Sequence, residues 1–234
     1  EQKLNFVVTD ADGDTDEVSV TVNIAKPETP SFTGTVSVDE EGLEDGTNPD
    51  ATSEIATWTA PDGYTVVGIK DGENGKLGTA EVVDGKVEYT LSDAITHEKG
   101  SGENISESAD KFTVIVMDDD GNTYNLTVNV NVVDDVPTIS TEDTELDVAS
   151  GAEVTGSVDI DYGADNEGGQ KSLTVNGQKG TATEDGKLSF ELTNGTLVLD
   201  AATGEYTFTA KPNVTEEQKL NFVVTDADGD TDEV

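Results

Sequence analysis

The sequence predicts an all-β protein made of two tandem immunoglobulin-like β-sandwich domains arranged end to end. Three observations predict it. Apolar and polar residues alternate with a period of two over most of the chain, the pattern of strands with one buried face. Turn formers punctuate these runs: Pro61-Asp62-Gly63, Asp71-Gly72, Asp84-Gly85, Asn176-Gly177, Asp185-Gly186 and Asn194-Gly195. A motif of aromatic residue, alternating run and acidic turn occurs three times, from Phe6 to Asp14, Phe112 to Gly121 and Phe222 to Asp230. The copies lie about a hundred residues apart, the size of one domain.

In chain order, Leu4, Phe6 and Val8 alternate with Asn5, Val7 and Thr9, and Val18, Val20, Val22 and Ile24 answer them after an acidic turn. This is an antiparallel hairpin. A short joint follows, Ala25-Lys26-Pro27-Glu28-Thr29-Pro30. Trp58, within Ile55-Ala56-Thr57-Trp58-Thr59, is expected to pack in a core. The stretch from Ser92 to Ser108 is the best place for a short helical turn or a long loop, since no segment carries a helical period. Phe112, Val114 and Val116 pair with Leu126, Val128, Val130 and Val132 as a second hairpin, and Val133-Asp134-Asp135-Val136-Pro137-Thr138 forms the second joint. Proline in both joints limits their freedom. The expected boundaries are therefore a hairpin of a preceding repeat domain at 1–26, one sandwich at 27–133 and another at 134–234, the last with its final strand cut short.

Residues 1–18 and 217–234 are the same eighteen letters, EQKLNFVVTDADGDTDEV. The expectation is one period of a longer tandem array, in which length itself is useful, as in a stalk or spacer. The first copy continues as Ser19-Val20-Thr21-Val22-Asn23-Ile24, a terminal strand the second copy lacks. Head-to-tail strand exchange between chains is expected from that difference.

Composition narrows the partners. There are 51 acidic and 12 basic residues, all lysines, for a formal charge of −39. Such a polyanion is repelled by nucleic acid and by anionic membrane surfaces; its natural small partner is a cation. With no cysteine, disulfides, thiolate catalysis and cysteine zinc sites are excluded. No apolar run reaches the length of a membrane span. His97 is the only histidine and is expected on the surface or in a loop. No nucleophile, base and acid assemble into a triad, so no enzymatic activity is expected.

The turn Asp10-Ala11-Asp12-Gly13-Asp14 places three aspartates at alternate positions, and Asp118-Asp119-Asp120-Gly121 is its counterpart. Clustered hard oxygens on a tight loop are what calcium requires. The spacing is not that of an EF-hand, and the flanks are strands. In a sandwich, the tip of the last hairpin lies at the pole where the first strand enters. Asp226, Asp228 and Asp230 should then face Asp134 and Asp135. The loop carrying Asp161 and Asp165 should join them. Packed together without a cation, these carboxylates repel by several kcal/mol.

The runs FVVTDADGDTDEVSVTVNI, VNVVDDVPT, DIDYGADNEGG and TLVLDAATGEYTFTAKPN resemble the tandem extender repeats of giant type I-secreted, RTX-class bacterial adhesins and the related VCBS or cadherin-like bacterial repeats. The resemblance is strongest over 110–138 and 154–234. It implies Ca2+-rigidified immunoglobulin-like domains, secreted to the bacterial cell surface, that hold a binding module away from the cell and serve adhesion and biofilm formation. The joint at Asp134-Asp135 matches that pattern, whereas Ala25–Pro30 lacks aspartate. The function expected is thus a structural extender whose partners are neighbouring repeat domains of the same chain. The alternatives are a carbohydrate- or protein-binding adhesin module, which would need an exposed aromatic cluster, and a glycan-cleaving module, which would need a cleft with two facing carboxylates.

Overall fold

The computed structural model describes residues 2–23, 33–164 and 171–234. It divides into two compact units, Glu1–Phe32 and Thr33–Val234. The joint at Ala25–Pro30, Ile24 and Asp165 lie outside the described residues.

The first unit is a single hairpin. Strands β1 (Gln2–Thr9) and β2 (Thr15–Val22) pair antiparallel with Leu4 opposite Val20 and Phe6 opposite Val18. The period-two alternation puts Leu4, Phe6, Val8, Val18, Val20 and Val22 on one face. That face is bare: Phe6 is 53% and Val8 71% exposed.

The second unit is built entirely of sheets, with no α-helix among the described residues. Up to residue 133 the strands are β3 (Gly34–Asp39), β4 (Ile55–Trp58), β5 (Tyr64–Ile69), β6 (Gly78–Val83), β7 (Lys86–Leu91), β8 (Ile105–Asp118) and β9 (Thr123–Val133). They form one sheet in the order β3-β9-β8-β5 and another in the order β4-β7-β6. Val36, Val38, Trp58, Val87, Val114, Val116, Val128 and Val130 are buried, and Trp58 is thus a core residue, as its flanking alternation implies. Tyr89 of β7 and Phe112 of β8 stack across the two sheets at 5.8 Å between ring centroids.

Beyond the second joint come β10 (Thr138–Ser140), β11 (Glu153–Ser157), β12 (Asp159–Asp161), β13 (Ser172–Val175), β14 (Gln178–Lys179), β15 (Thr181–Ala182), β16 (Leu188–Glu191), β17 (Gly195–Leu199), β18 (Glu205–Ala210), β19 (Phe222–Thr225) and β20 (Thr231–Glu233). They form a five-stranded sheet, β11-β18-β17-β16-β15, a four-stranded sheet, β14-β13-β19-β20, and a separate pair, β10-β12. Their inner faces share a core of Leu173, Val175, Phe190, Leu197, Leu199, Phe208, Phe222 and Val224.

Two features add to the sequence reading. β3 runs parallel to β9, with Val36 opposite Val130; alternation marks which face is buried but not which distant strand is the neighbour. Of the short helical turn or long loop expected between Ser92 and Ser108, the loop forms; a single helical turn lies at Glu40–Gly42, where Asp39 caps it by accepting from Glu41 N. Ser92 to Asn104 is loop, and β8 begins at Ile105.

A β-bulge in β8, between Ser106 and Asp110, turns Asp110 inward. Although only 5% exposed, Asp110 is fully partnered. Its Oδ2 accepts from Lys76 N (2.7 Å), Leu77 N (2.8 Å) and Tyr89 Oη (2.7 Å), and its Oδ1 from Lys111 N (2.8 Å). Burial alone would raise its pKa; the converging donors hold it below the ordinary value. The Tyr89→Phe variant removes one donor from this buried charge. It should lose about 1.5–3 kcal/mol in urea denaturation, and an unchanged midpoint would show that the phenol contributes nothing.

Candidate functional site

The second joint crosses from β9 to β10 through Asp134 and Asp135, which are 1% and 3% exposed. Two loops of the preceding sheets reach it. Thr47 donates its backbone N–H to Asp135 Oδ2 (2.9 Å) and its hydroxyl to Asp135 Oδ1 (2.5 Å). Asn104 Nδ2 donates to Asp134 Oδ2 (2.7 Å), and Asp134 N donates to Asn104 O (2.9 Å). From the other side, Ala164 N donates to Asp135 Oδ2 (2.9 Å). The approach depends on Gly163: with φ of +68°, a Cβ there would stand 2.9 Å from Asp135 Oδ2. Asp135 therefore spends both oxygens on protein donors and clamps loops from either side.

The turn between β19 and β20 meets this joint. Its backbone is held by Asp226 Oδ1, which accepts from Gly229 N and Asp230 N at 2.8 Å each, with Gly229 at φ +109°. Gly102 N donates to Asp230 Oδ1 (2.8 Å), which brings the loop before β8 onto the turn. Asp226, Asp228 and Asp230 are 1%, 2% and 6% exposed. Carboxylate oxygens of Asp134, Asp228 and Asp230 all lie within 4.8 Å of one another.

The decisive feature is what these groups lack. Asp226 Oδ2, Asp228 Oδ2 and Asp230 Oδ2 are buried and accept no hydrogen bond. Among the described residues, no lysine pairs with Asp226, Asp228 or Asp230. A buried carboxylate without donors is costly, and two charges 4 Å apart repel by about 4 kcal/mol at an effective dielectric constant of 20. Asp110 shows how this chain satisfies a structural carboxylate; the turn does the opposite. A hard divalent cation bound at 2.3–2.6 Å holds its oxygens up to about 5 Å apart, the span over which Asp134, Asp228 and Asp230 offer theirs. The donor set and spacing fit such an ion.

The electrostatics register the crowding. Burial, and then the neighbouring Asp228 carboxyl, push Asp226 up to about 6, against the pull of the Gly229 and Asp230 N–H groups. Asp39 is raised too, first by burial, with the charges of Glu41, Glu103 and Asp135 adding to it.

The other candidate carboxylates stand differently. Asp10, Asp12 and Asp14 cluster within 4.8 Å but are exposed, and hydrogen bonding to Asp12 and Asp14 lowers Asp10. Asp118 accepts from Asp120 N, Asn122 N, Asn122 Nδ2 and Tyr124 Oη, so its carboxylate closes its own turn. Asp119 and Asp120 point to solvent-exposed positions. Asp161, at the end of β12, accepts from Gly163 N (3.0 Å).

His97 meets its sequence expectation only in part. It lies in a loop, but its side chain has no exposed area and sits 3.3 Å from Glu40 Oε1 through Nε2. Burial pulls its pKa down, but the Glu40 carboxylate and the charge of Asp134 outweigh it and hold the imidazole at about 9. Sequence reasoning missed Glu40, His97 and Asn104 because nothing in their spacing marks them.

No family model matches the chain, and no curated protein matches it. Solved structures with some likeness include extracellular cadherin domains 3–6 of protocadherin gamma B2, at 14% identity and a TM-score of 0.30, covering 89% of this chain and 45% of that one. Murine CEACAM1b follows at 12% identity and 0.22, covering 82% and 89%. A tetra-tandem repeat in the extending region of a large adhesion protein stands at 19% identity and 0.21, covering 86% and 48%. The chain spans about half the length of the protocadherin structures. Likenesses this loose assign no relative. No helix among the described residues is long and apolar enough to cross a membrane.

Asp226 and His97 both lie above their ordinary values of 3.8 and 6.5. Through these two groups the folded chain holds more protons than the unfolded one, below about 6 at Asp226 and between 6.5 and about 9 at His97. In chelator, stability should fall as pH rises through each window. Denaturation midpoints that stay level or climb across these windows would contradict the buried-charge description.

Proposed function

We propose that this chain is a structural, non-enzymatic extender segment of a large repetitive extracellular adhesin of the type I-secreted bacterial class, stiffened by calcium at the joint around Asp134. The observation that carries this reading is the set of buried carboxylate oxygens on Asp226, Asp228 and Asp230 that no protein donor reaches. In this reading residues 27–133 and 134–234 are two sandwich domains. Asp134, Asp228 and Asp230 supply calcium ligands, Asp226 shapes the turn and adds an oxygen, and Asp135 locks the loops. Bound calcium supplies the positive charge that turns mutual repulsion into cohesion. Without it, the joint is held by few hydrogen bonds against that repulsion and flexes.

Calorimetric titration and thermal unfolding test this reading. Extracellular calcium modules bind at about 10⁻⁴ to 10⁻³ M, and saturation at a hundred times Kd stabilises by about 2.7 kcal/mol. The Asp228→Asn/Asp230→Asn variant should lose that calcium-dependent gain, yet unfold at a higher temperature than the parent in chelator, because it has shed buried charge. Asp135→Asn should destabilise with and without calcium. Equal melting temperatures of the parent with calcium and with chelator would end the proposal.

The hairpin of residues 2–22 takes its place in the same scheme. Phe6 and Val8 are exposed, whereas their sequence twins Phe222 and Val224 are 3% and 0% exposed in a sandwich core. The bare face is thus the surface this chain would offer to a second copy of the repeat. Strand exchange between copies should appear as concentration-dependent association in sedimentation velocity. Phe6→Asp should suppress it without lowering the melting temperature, since Phe222 remains; association unchanged in that variant would exclude the hairpin as the donor.

A further inference from the structure

Beside the carboxylate cluster lies a second group of buried donors with different chemistry. Glu40, His97 and Asp134 offer ligand atoms within 4.8 Å of one another, and all three residues are buried. They come from three separate segments: the capped turn after β3, the loop before β8 and the joint after β9. The side chains of Glu40 and His97 have no exposed area. We propose that Glu40, His97 and Asp134 form a binding site for a divalent first-row transition-metal ion of the zinc or copper(II) kind, distinct in chemistry from the all-oxygen position beside it.

Three observations support the assignment. The first is the orientation of His97. Its Nδ1 lies 3.3 Å from Asn104 Oδ1 and 3.2 Å from Ser106 Oγ. An Nδ1–H donated to Asn104 Oδ1 leaves the Nε2 lone pair facing Glu40 Oε1 at 3.3 Å. Two lone pairs at that distance need an electrophile between them, either a proton or a metal ion. The second is Glu40 itself. Oε1 accepts from Ile95 N at 2.7 Å, while Oε2 is buried and accepts no hydrogen bond. The third is the supporting shell. Asn104, the partner of His97 Nδ1, also donates through Nδ2 to Asp134 Oδ2 at 2.7 Å. One amide thus orients two ligands, as outer-shell groups do around protein metal centres.

The distance and donor types select the class of ion. Tetrahedral zinc with bonds of about 2.0–2.1 Å separates adjacent ligand atoms by about 3.3 Å, the spacing observed between His97 Nε2 and Glu40 Oε1. Calcium and magnesium take oxygen ligands, whereas imidazole suits zinc, copper and nickel. Binding would expel the proton that otherwise bridges the pair. The site shares Asp134 with the proposed calcium position but does not depend on calcium being there.

The chain provides its own reporter, since His97 is its only histidine and it has no cysteine. The full chain, stripped with chelator, is given one equivalent of copper(II), once alone and once in excess calcium, and its electron paramagnetic resonance spectrum recorded. Superhyperfine splitting from one imidazole nitrogen is expected in both arms, and His97→Gln should lose it. Zinc calorimetry on the same proteins should show at least tenfold weaker binding in His97→Gln, with calcium binding unchanged. Imidazole proton resonances of the parent should shift with zinc, a measurement that needs no variant to fold. An oxygen-only copper spectrum, a nitrogen signal that survives His97→Gln, or imidazole resonances unmoved by zinc would each overturn the site. None of these outcomes turns on whether calcium binds, so a failed calcium titration would refute only the extender reading.

Discussion

Burying carboxylate oxygens without giving them donors is the constraint on which the rest of this structure depends. Asp226, Asp228 and Asp230 are buried where their turn meets Asp134 of the joint and the loop before β8, from which Gly102 N donates to Asp230 Oδ1. Each contact that excludes water from the turn also deepens the penalty of its charges. The hydrogen bonds from Thr47, Gly102, Asn104 and Ala164 fix the backbone but leave the outer oxygens bare. A proton or a cation there would relieve that penalty, and the proposed extender role rests on the cation.

Aspartate plays three distinct parts in this chain, and the partners of its oxygens tell them apart. At Asp118 the carboxylate is consumed by its own turn, a local device for closing a hairpin. At Asp110 a bulge carries the side chain inward to four donors, and the result is a satisfied network that rigidifies the core. At Asp228 and Asp230 one oxygen of each carboxylate accepts, from Asp230 N and Gly102 N, while the other, Oδ2, is buried with no donor. Counting acidic residues could not separate these parts, because the difference lies in donors supplied by distant segments such as Tyr89 and Gly102.

Much of the fold was legible because strand patterning is local. The alternation over Phe112–Val116 and Leu126–Val132 predicts the β8–β9 pair, and Phe112, Val114, Val128 and Val130 are indeed buried. The convergence of Asp134 with the Asp226–Asp230 turn followed from where a last hairpin ends in a sandwich. The parallel pairing of β3 with β9 was not legible, since a parallel neighbour leaves no turn signature. Nor was the burial of His97: a loop histidine is polar in isolation, and only Glu40, reached across fifty-seven positions, gives it a reason to be inside.

The repeated segment separates the two kinds of information. Asp10-Ala11-Asp12-Gly13-Asp14 and Asp226-Ala227-Asp228-Gly229-Asp230 have one sequence and fold into one turn. In each, the first aspartate accepts from the glycine and the last aspartate, at 3.0 and 2.8 Å in the first copy and 2.8 Å twice in the second. Glycine sits at φ +102° and +109°. The turn, its hydrogen bonds and the flanking alternation were therefore determined by the sequence alone, because all of them are satisfied within a few residues. Yet Asp10 is exposed and its pKa lowered, while Asp226 is buried and pushed up to about 6. Only the tertiary structure decided that difference. The penalty on a buried charge is set by what displaces its water, and here that is Gly102, Asp134 and the loops around them, none of which the five residues of the turn encode.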